Sequence, residues 1–598
     1  MDTKKSSWKK FLRLDFTTKD LDGRAQKLTK TTLRHAHTFI SLRLEHLAGV
    51  KRHVLGWIFL VILLITVSMV QWLSFRELYA NNNAPTSGGS YSEGVLGPLE
   101  TLNPIFARSS AEKSAARLMF ASLYNYDTTG HIKGDLAESV TVNEAETEYT
   151  VKLRRNLKWS DGAPLDARDV VFTVNLLKDA RTQAAITGWQ SINVKQVDER
   201  TVQFTLPAPY APFMHALTFP ILPQHSLSEV NPAELREHGY GKSPVTSGPF
   251  AMRILQNANA DGSKKVLHLV ANSQYHHGAP KLDRFQLYVY PTRDEITKGL
   301  KTSEIMATPE LSYMAQSDQI RHMYASRSYA INDGVYALFN TQSEVVSSRK
   351  VRQALVQSIN TQALREKFAF ARKPLHGPIF DDQVDGQLAG RLPYDTEAAK
   401  KLLDEEGWKV VGNQRKKGEQ VLQLSFVTLK GSDFETIARE LVKVWQETLH
   451  ITVDLRVVDP NDASQNVLQS VLRPRGFDVL LYELVLGGDA DVFAYWHSSQ
   501  ANQGGLNFAN YNSAVADDAL AAGRAKRSAK QRVSKYQAFT KHWQSDVPAL
   551  ALYQVQLDYI HLRSVSALDK SMRLVYPTDR FADVIYWTVR RESVYKTP

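Results

Sequence analysis

The chain has 598 residues, of which 43% are hydrophobic and 10% aromatic, so it can bury several cores and is not disordered as a whole. It contains no cysteine, which excludes disulfides, zinc–thiolate sites, iron–sulfur clusters, a cysteine nucleophile and attachment through a lipidated cysteine. The formal net charge is +11, but residues 1–52 contain 13 Lys or Arg and 5 Asp or Glu, a net of +8. The remainder is close to neutral, which argues against a nucleic-acid-binding function.

The first predicted element is a transmembrane helix over residues 54–75. These 22 residues contain no charged side chain and would rise about 33 Å as a helix, enough to cross the hydrocarbon core. Trp57 and Trp72 lie near its two ends, where interfacial anchors are common. A cleaved signal peptide would instead have a shorter apolar core, closer to the N terminus, followed by small residues at a cleavage site.

Charge predicts the orientation of this helix. Because basic flanks stay in the cytoplasm, residues 1–53 are predicted to form a basic cytoplasmic tail. The C-terminal bulk would then be extracellular or periplasmic, held at the plasma membrane by a single span. Apolar and basic residues alternate in the tail, which fits either an amphipathic helix on anionic lipid or a plain topology signal. Residues 76–90 are rich in Asn, Gly, Ser and Pro, and are predicted to be a flexible tether.

The best-defined segment of the remaining chain is 148–177. Tyr149, Val151 and Leu153 alternate with polar residues, as in a half-buried strand, and an Asp-Gly pair then supplies a turn. Asp166 is placed to cap a helix whose apolar residues fall on one face.

Further strands and helices alternate along the chain without an internal repeat. Alternating or continuous apolar residues predict strands over 202–206, 267–269, 422–426, 453–457 and 477–486, and helical periodicity predicts helices over 348–368, 396–406 and 434–449. Helices that feed directly into strands are typical of α/β layering.

A series of motifs occurs along this part of the chain. They are LNP at 102–104, LYNYDTTGHIKGDLAES at 123–139, KWSDGAPLDARDVVFT at 158–173, VDERTVQFTLPAPYAPF at 197–213, SPVTSGPF at 243–250, YALFNT at 336–341, RKVRQALVQSINTQAL at 349–364, YDTEAAKKLLDEEGW at 394–408 and DADVFAYWHSSQ at 489–500. In wording and order they resemble the signature regions of family 5 extracellular solute-binding proteins, the peptide-binding receptors of ABC importers. The resemblance covers about residue 91 to the C terminus.

The resemblance implies an α/β, two-lobed periplasmic-binding-protein-like fold of the class with an extra domain, preceded here by one N-terminal transmembrane helix. The solute-binding module would be residues 91–598, divided into a core lobe (91–120, 246–335 and 553–598), an extra domain (121–245) and a second lobe (336–552). Crossover strands near Tyr336–Thr341 and Ala549–Tyr553 would form the hinge on which the lobes close.

The resemblance also implies that a peptide binds between the lobes. The α-ammonium group of a peptide needs a desolvated carboxylate partner. Asp489 is the preferred candidate and Asp491 the second, because both follow an apolar strand in the region where the family carries an ammonium-binding aspartate. The chain lacks the family's tyrosine and proline there, so the choice stays open. The alternative interpretation is a pair of turn or helix-capping aspartates.

Main-chain pairing with a strand edge would hold an extended peptide, and the family does this just after its LNP-like motif. An ordinary surface loop is the alternative at that position. Aromatic side chains would line roomy pockets for the ligand's side chains. The predicted ligand-binding residues are Asp489, Asp491, Arg108, Ser109, Ser110, Ala111, Tyr124, Trp189, Trp496 and Tyr553.

No enzyme is predicted, because GxSxG, HExxH and GxxxxGK[ST] motifs are absent from the sequence. His276 and His277 lack a third ligand at a metal-binding spacing, so neither a metal nor a cofactor is predicted. The expected function is a membrane-anchored, monomeric substrate-binding protein that delivers peptides to an ABC permease and its ATPases. The alternatives are a binding protein for a non-peptide solute such as a metal chelate or haem, and a tethered sensor or scaffold that signals through its tail.

Overall fold

The structure is a computed structural model that describes residues 50–313, 316–367, 372–384, 392–459, 466–525 and 528–595. Predictions for the tail before residue 50 lie outside these residues. The chain divides into two compact units, residues 1–84 with 592–598, and residues 85–591. The described part of the first unit begins with helix α1, Lys51–Tyr79. Within α1, His53–Ser74 is long and apolar enough to cross a membrane, and its side chains are exposed.

The strands are β1 Ala80–Thr86, β2 Ser90–Leu96, β3 Tyr124–Tyr126, β4 Ile132–Gly134, β5 Ala137–Val142, β6 Glu148–Leu153, β7 Asn193–Asp198, β8 Thr201–Thr205, β9 Phe250–Asn257, β10 Lys265–Ala271, β11 Arg284–Tyr290, β12 Ala307–Thr308, β13 Tyr324–Phe339, β14 Lys373–Pro374, β15 Lys409–Val411, β16 Gln414–Lys417, β17 Gln420–Val421, β18 Gln423–Leu429, β19 Thr452–Val458, β20 Val479–Val485, β21 Ala549–Leu562 and β22 Arg590–Tyr595. Strand β1 pairs with β22. The structure therefore has regular extended backbone within the segment that the sequence predicts to be a flexible tether.

The helices that follow α1 are α2 Ser110–Met119, α3 Ala167–Lys178, α4 Phe213–Ala216, α5 Gln224–Leu227, α6 Arg293–Lys301, α7 Asp318–Met323, α8 Arg349–Gln357, α9 Thr361–Glu366, α10 Thr396–Glu405, α11 Ser432–Glu447, α12 Phe493–Trp496, α13 Ala514–Ala525 and α14 Ala529–Asp546. The predicted helix over 348–368 is two helices, α8 and α9, because Asn360 caps a new helix after the first has ended. The other two predicted helices match α10 and α11.

One sheet of eleven strands runs through both lobes. Its order is β19-β18-β20-β13-β21-β12-β2-β11-β10-β9, and β14 pairs with β21 beside this path. In the second lobe, β18 is parallel to both β19 and β20, while in the first lobe β2 is parallel to β11 and β12. The mixture of strands and covering helices confirms the predicted two-lobed α/β fold.

Strands β13 and β21 connect the two lobes. They pair antiparallel from Tyr324↔Leu562 to Leu338↔Ala549, with register shifts between Ala330 and Gly334 and again between Val335 and Tyr336. Such irregularities leave backbone groups outside the ladder and bend the strand locally. The irregular part of β13 therefore begins a few residues before the crossover strand that the sequence predicts at 336–341.

The segment 148–177 folds as its sequence predicts. Tyr149, Val151 and Leu153 point into the core from β6, which lies in the antiparallel sheet β5-β6-β8-β7 of the extra domain. Asp166 caps α3, and the Asp169 carboxylate accepts the Asp166 backbone N–H at 3.0 Å, which completes a capping box.

A fully buried ion pair ties the C-terminal part of the chain to the first lobe. Glu93, on β2, accepts two hydrogen bonds from the Arg580 guanidinium, the shorter at 2.6 Å, and one from the Tyr559 hydroxyl, also at 2.6 Å. Arg580 also donates to the Ser114 hydroxyl on α2. Because a buried charge is costly without partners, these bonds fix the positions of Tyr559, on β21, and of Arg580 relative to β2.

Candidate ligand-binding site between the lobes

The two lobes touch each other across the cleft, so the structure shows a closed arrangement. The Tyr126 hydroxyl is 2.7 Å from His215 Nδ1 in the extra domain, and His215 Nε2 lies 3.7 Å from Asp489 Oδ2 in the second lobe. The backbone N–H of Ala211 donates to the carbonyl of Arg524 at 2.9 Å. These contacts place the loop after β20 against the first lobe.

The bulge in β13 also contacts both lobes. The backbone N–H of Asn332 donates to the Val575 carbonyl of the first lobe at 3.1 Å, and its side-chain amide donates to the Gly487 carbonyl of the second lobe at 2.8 Å. Gln554 of β21 donates to the Ile331 carbonyl at 2.9 Å. The hinge thus keeps its irregular backbone groups hydrogen bonded in the closed state.

Two cavities lie beside this hinge. One of about 360 Å³ is bounded by both lobes and lined by Thr129, Gly130, His131, Ala330, Asn332, Lys373, Asp382, Gln383, Gly488, Gln554, Met572, Arg573, Leu574 and Val575. The other, of about 340 Å³, lies in the second lobe and is lined by Leu468, Leu472, Arg473, Tyr482, Glu483, Leu484, Val485, Tyr495, Gln503, Gly504, Gly505, Leu506 and Phe508. Each has the size of a pocket for a small ligand.

A pair of carboxyl groups lies at the hinge between these cavities. Asp333 is in the β13 bulge and Glu483 is on β20, where Val335 is its direct partner, so the two acids are diagonal neighbours on one face of the sheet. Their carboxyl groups are close enough for each to shift the pKa of the other. Asp333 is only 5% exposed, and its Oδ1 is buried without a hydrogen-bond partner among the described residues.

Burial decides the protonation of this pair. It raises the pKa of Asp333, and the neighbouring charge of Glu483 raises that pKa further, to about 8, against the opposing charge of Lys113 on α2. Burial also raises the pKa of Glu483, although the Arg372 guanidinium opposes it. At neutral pH the two acids therefore share one proton.

Aromatic and cationic side chains surround the acid pair. The Tyr495 hydroxyl donates to the Val485 carbonyl at 2.6 Å, and burial raises the pKa values of Tyr482, Tyr495 and Tyr576. Tyr553 on β21 lies under the Arg372 guanidinium, whose carbon is 5.1 Å from the ring centroid. Tyr553 is one of the sequence-predicted ligand residues, and it lies near Glu483 of the acid pair.

Asp489 and Asp491 have arginine partners within the second lobe. Asp489 accepts two hydrogen bonds from Arg532, one of them at 2.8 Å, and Asp491 Oδ2 accepts two from Arg524, at 2.7 and 3.2 Å. Asp489 also accepts the Asp491 backbone N–H, and Asp491 that of Phe493, as turn aspartates do. Both carboxylates are thus neutralised in the closed state. Their role as ammonium anchors stays a prediction.

The residues after the LNP motif form a helix N terminus. Ser109 caps α2 in a capping box with Glu112, and Ser110 donates to Glu310. Arg108, which is exposed, and Ser109, which is half-buried, donate their backbone N–H groups to the Glu112 carboxylate at 2.8 and 3.1 Å. The expected strand-edge pairing is therefore wrong for Ser110 and Ala111, whose backbone is helical, and Ala111 is fully buried.

Three predicted pocket aromatics are buried in cores. Trp189 is 2% exposed and packs edge-on against Phe219, with 4.8 Å between ring centroids. Trp496 is fully buried and packs edge-on against Trp543 at 5.3 Å. Tyr124 lies on β3 in the first-lobe core. Trp189 and Trp496 thus pack inside the lobes, as bulky aromatics often do, and their role as ligand-binding residues stays a prediction.

The sequence contained a signal for the acid pair. Glu483 interrupts the apolar run of β20, in phase with Val479 and Leu481, which are fully buried. An acid on the buried face of a strand needs a partner or a function. What the sequence could not show is that Asp333, far away in the chain, lies beside it.

Comparison with known proteins identifies the family. The sequence profile described as bacterial extracellular solute-binding proteins, family 5 Middle, matches residues 131–547, more than two thirds of the chain. The chain belongs to family 5 of the bacterial extracellular solute-binding proteins. Members of this family bind solutes for transport and are not enzymes.

Individual family 5 proteins extend this result. The oligopeptide-binding protein AppA of Bacillus subtilis is 27% identical over 486 residues, which cover 78% of this chain and 87% of AppA. The structure of Bacillus subtilis AppA in complex with a nonapeptide has a TM-score of 0.67 at 22% identity and covers 85% of this chain and 100% of AppA. NikZ of Campylobacter jejuni in complex with Ni(L-His) has a TM-score of 0.67 at 19% identity, covering 83% of this chain and 99% of NikZ. Both structures confirm the two-lobed fold.

The Asp489–Arg532 ion pair predicts that substitutions of its two residues have non-additive effects on the free energy of unfolding. An aspartate that only binds a ligand ammonium group would not show this. Asp489→Asn should lower the free energy of unfolding by about 1–3 kcal/mol, because it leaves a largely buried guanidinium without its carboxylate. Adding Arg532→Met should restore much of the loss. Urea unfolding of the purified full-length chain in detergent measures all three variants, and additive effects of the two substitutions would contradict the pairing.

The Asp333–Glu483 pair predicts a pH-dependent stability. Since the pKa of Asp333 is raised from 3.8 to about 8, the stability that its protonated form contributes is complete below about pH 4 and is lost as the pH rises through 8. Asp333→Asn cannot ionise. Relative to wild type, its free energy of unfolding should therefore increase by at least about 1 kcal/mol between pH 5 and pH 8.5.

Urea unfolding at the two pH values measures this difference. Asp294→Asn is the matched control, because Asp294 is exposed in the first turn of α6. This substitution should change the free energy of unfolding by the same amount at both pH values. A pH-independent difference between wild type and Asp333→Asn would contradict the shared proton.

Proposed function

We propose that this protein is the substrate-binding component of an ABC importer and captures peptides in the cleft between its lobes. The observation that carries the proposal is the carboxyl pair at the hinge, Asp333 and Glu483, with a buried acceptor oxygen that has no partner among the described residues. Membership of family 5 and the description of AppA as oligopeptide-binding support a peptide as the ligand.

The ammonium group of the peptide would bind at the acid pair. In the absence of ligand the shared proton reduces the pair to one buried negative charge, which limits its desolvation cost. An incoming ammonium group replaces this proton and donates to both carboxylates, which strengthens each hydrogen bond by its charge. Because Asp333 is in the β13 bulge, the ligand binds at the point where the lobes move relative to each other.

The 340 Å³ cavity beside Glu483 would receive a ligand side chain. Tyr482, Tyr495 and Phe508 give it aromatic walls, Gly504 and Gly505 leave room along one side, and Arg473 adds one charge. Because the cavity has few fixed polar groups for its size, different ligand side chains can bind in it, and water fills the remaining space. This composition favours a receptor of broad specificity.

Lobe closure would complete the binding cycle. The contacts of Ala211 with Arg524, and of His215 with Asp489, exist only when the second lobe lies against the extra domain. A ligand that bridges the lobes adds to these contacts and shifts the population towards the closed form. The closed form would be the one that the permease recognises, while ATP is hydrolysed in other subunits.

The protein would act as a monomer anchored by residues 54–75, with its basic tail in the cytoplasm and its binding module outside. The exposed apolar helix α1 and the charge of the first 52 residues support this arrangement. A signalling role of the tail is a further candidate, and loss of signalling but not of uptake on deletion of residues 1–50 would favour it.

A cationic or chelated solute is the second candidate ligand. NikZ is described in complex with Ni(L-His), and an acid pair would also bind a cation that is not a peptide. The two candidates differ in their need for a peptide amine.

The purified full-length chain should bind short peptides with a free amino terminus at least about tenfold more tightly than their N-acetylated forms, because acetylation removes a charge-assisted hydrogen bond. Glu483→Gln should weaken binding of the free peptides by about 10–100-fold and abolish this preference. Isothermal titration calorimetry measures both effects. Glu344→Gln is the matched control, since Glu344 is exposed in the same lobe.

Equal affinity for free and acetylated peptides would contradict an ammonium anchor. Unchanged affinity in Glu483→Gln with a loss in Asp489→Asn would move the anchor to the loop after β20. A chain that binds no peptide but retains a metal chelate or haem on purification would favour the second candidate.

Protease added to intact cells should digest the folded module and leave residues 1–53 protected, because the positive-inside rule keeps the basic tail in the cytoplasm. Antibodies against the tail and against the C-terminal segment distinguish the fragments on immunoblots. Protection of the module in intact cells and its digestion after permeabilisation would contradict the proposed orientation.

A further inference from the structure

The first lobe contains a cluster of metal-ligating side chains that is separate from both cavities near the hinge. Asp135 lies between β4 and β5, and His276 and His277 lie in the turn between β10 and β11. His276 Nε2 is 2.9 Å and His277 Nε2 is 3.2 Å from the same Asp135 oxygen, Oδ1. One ligand atom from each of the three residues lies within 4.8 Å of the other two.

We propose that Asp135, His276 and His277 bind a divalent transition-metal cation, with Zn²⁺ as the reference ion. Nitrogen and oxygen ligands about 2.0–2.2 Å from a tetrahedral zinc ion are separated by about 3.3 Å, close to the distances found here. Two imidazoles and one carboxylate favour Zn²⁺, Ni²⁺ or Cu²⁺ over Ca²⁺ and Mg²⁺, which prefer oxygen ligands alone.

The local backbone aims both imidazoles at one point. The N–H of Gly278 donates to the Tyr275 carbonyl at 2.9 Å, which makes His276 and His277 the two central residues of a tight turn. Gly278 has φ +92°, a conformation that glycine adopts without strain. The two rings therefore lie side by side, 4.1 Å between centroids, rather than on opposite sides of the chain.

The carboxylate is held in place by a second set of contacts. Asp135 Oδ2 accepts a hydrogen bond from the Ser122 backbone N–H at 3.1 Å and one from the Asn125 amide at 2.6 Å, which leaves Oδ1 directed at the histidines. Outer contacts of this kind orient metal ligands in established sites.

Solvent reaches the cluster from one side. The Asp135 and His276 side chains are 6% and 7% exposed, whereas that of His277 is 38% exposed. A cation can therefore enter past His277 and keep a water molecule as its remaining ligand. The bound ion would join the extra domain, which provides Asp135, to the core lobe, which provides the histidine turn, and would stabilise the first lobe.

The test uses the tag-free full-length chain in detergent, stripped of metal on a chelating resin. Titration with Zn²⁺ in competition with a chromophoric chelator should reveal one saturable site. His277→Gln should weaken this site at least tenfold, and His322→Gln, a matched change at an exposed histidine outside the cluster, should leave it unchanged. Bound Co²⁺ should give the visible absorption of a four-coordinate site in wild type and lose it in His277→Gln.

Thermal unfolding separates binding from folding. Because His277 is partly exposed, its variant should unfold at the wild-type temperature without metal, and Zn²⁺ should raise the unfolding temperature of wild type only. Equal Zn²⁺ affinity in wild type and His277→Gln, or the absence of saturable binding at micromolar Zn²⁺, would overturn the proposal and leave the cluster as a set of hydrogen bonds. Peptide binding is measured separately, so failure of one proposal does not imply failure of the other.

Discussion

The antiparallel pairing of β13 with β21 is the constraint on which the rest of the structure depends. These two strands belong to both lobes and make one continuous sheet of them, so every other strand is placed by its order on either side of this pair. A sheet that continues through the connection resists twisting and sliding but can bend where its register is interrupted. The interruption at 331–333 is therefore a place where the sheet between the lobes is free to bend.

The acid pair derives its properties from this position. Asp333 lies in the bulge itself and Glu483 on the neighbouring β20, so the sheet holds the two carboxyl groups together in a largely buried region. Two buried acids cannot both ionise without a cation, which is why they share a proton. The same cost supports the proposal that they bind a ligand ammonium group, which would relieve it. Asp489 and Asp491 lack this property, since Arg532 and Arg524 already neutralise them.

Local interpretation of the sequence succeeded where neighbouring residues decide the structure. The capping box of Asp166 and Asp169, the alternation of β6 and the helices α10 and α11 depend on interactions within a few residues. It could not identify contacts between residues that are distant in the chain. Asp489 follows an apolar strand, as a ligand-binding carboxylate would. Nothing in the neighbouring sequence shows that its carboxylate accepts hydrogen bonds from Arg532, 43 residues later in the chain. Trp496 likewise matches a pocket aromatic in the sequence, whereas in the structure Trp543 packs edge-on against it.

The sequence by itself determined the apolar span, the basic tail, most element boundaries and, through its ordered motifs, the family and the two-lobed fold. The tertiary structure alone decided which charged groups meet. It brought Glu483 to Asp333, Arg532 to Asp489, and His276 to an aspartate 141 residues away. The physical reason is that periodicity and capping energies act over one or two turns of chain, whereas the approach of distant side chains is set by strand order and domain packing. Those depend on the burial of the whole core.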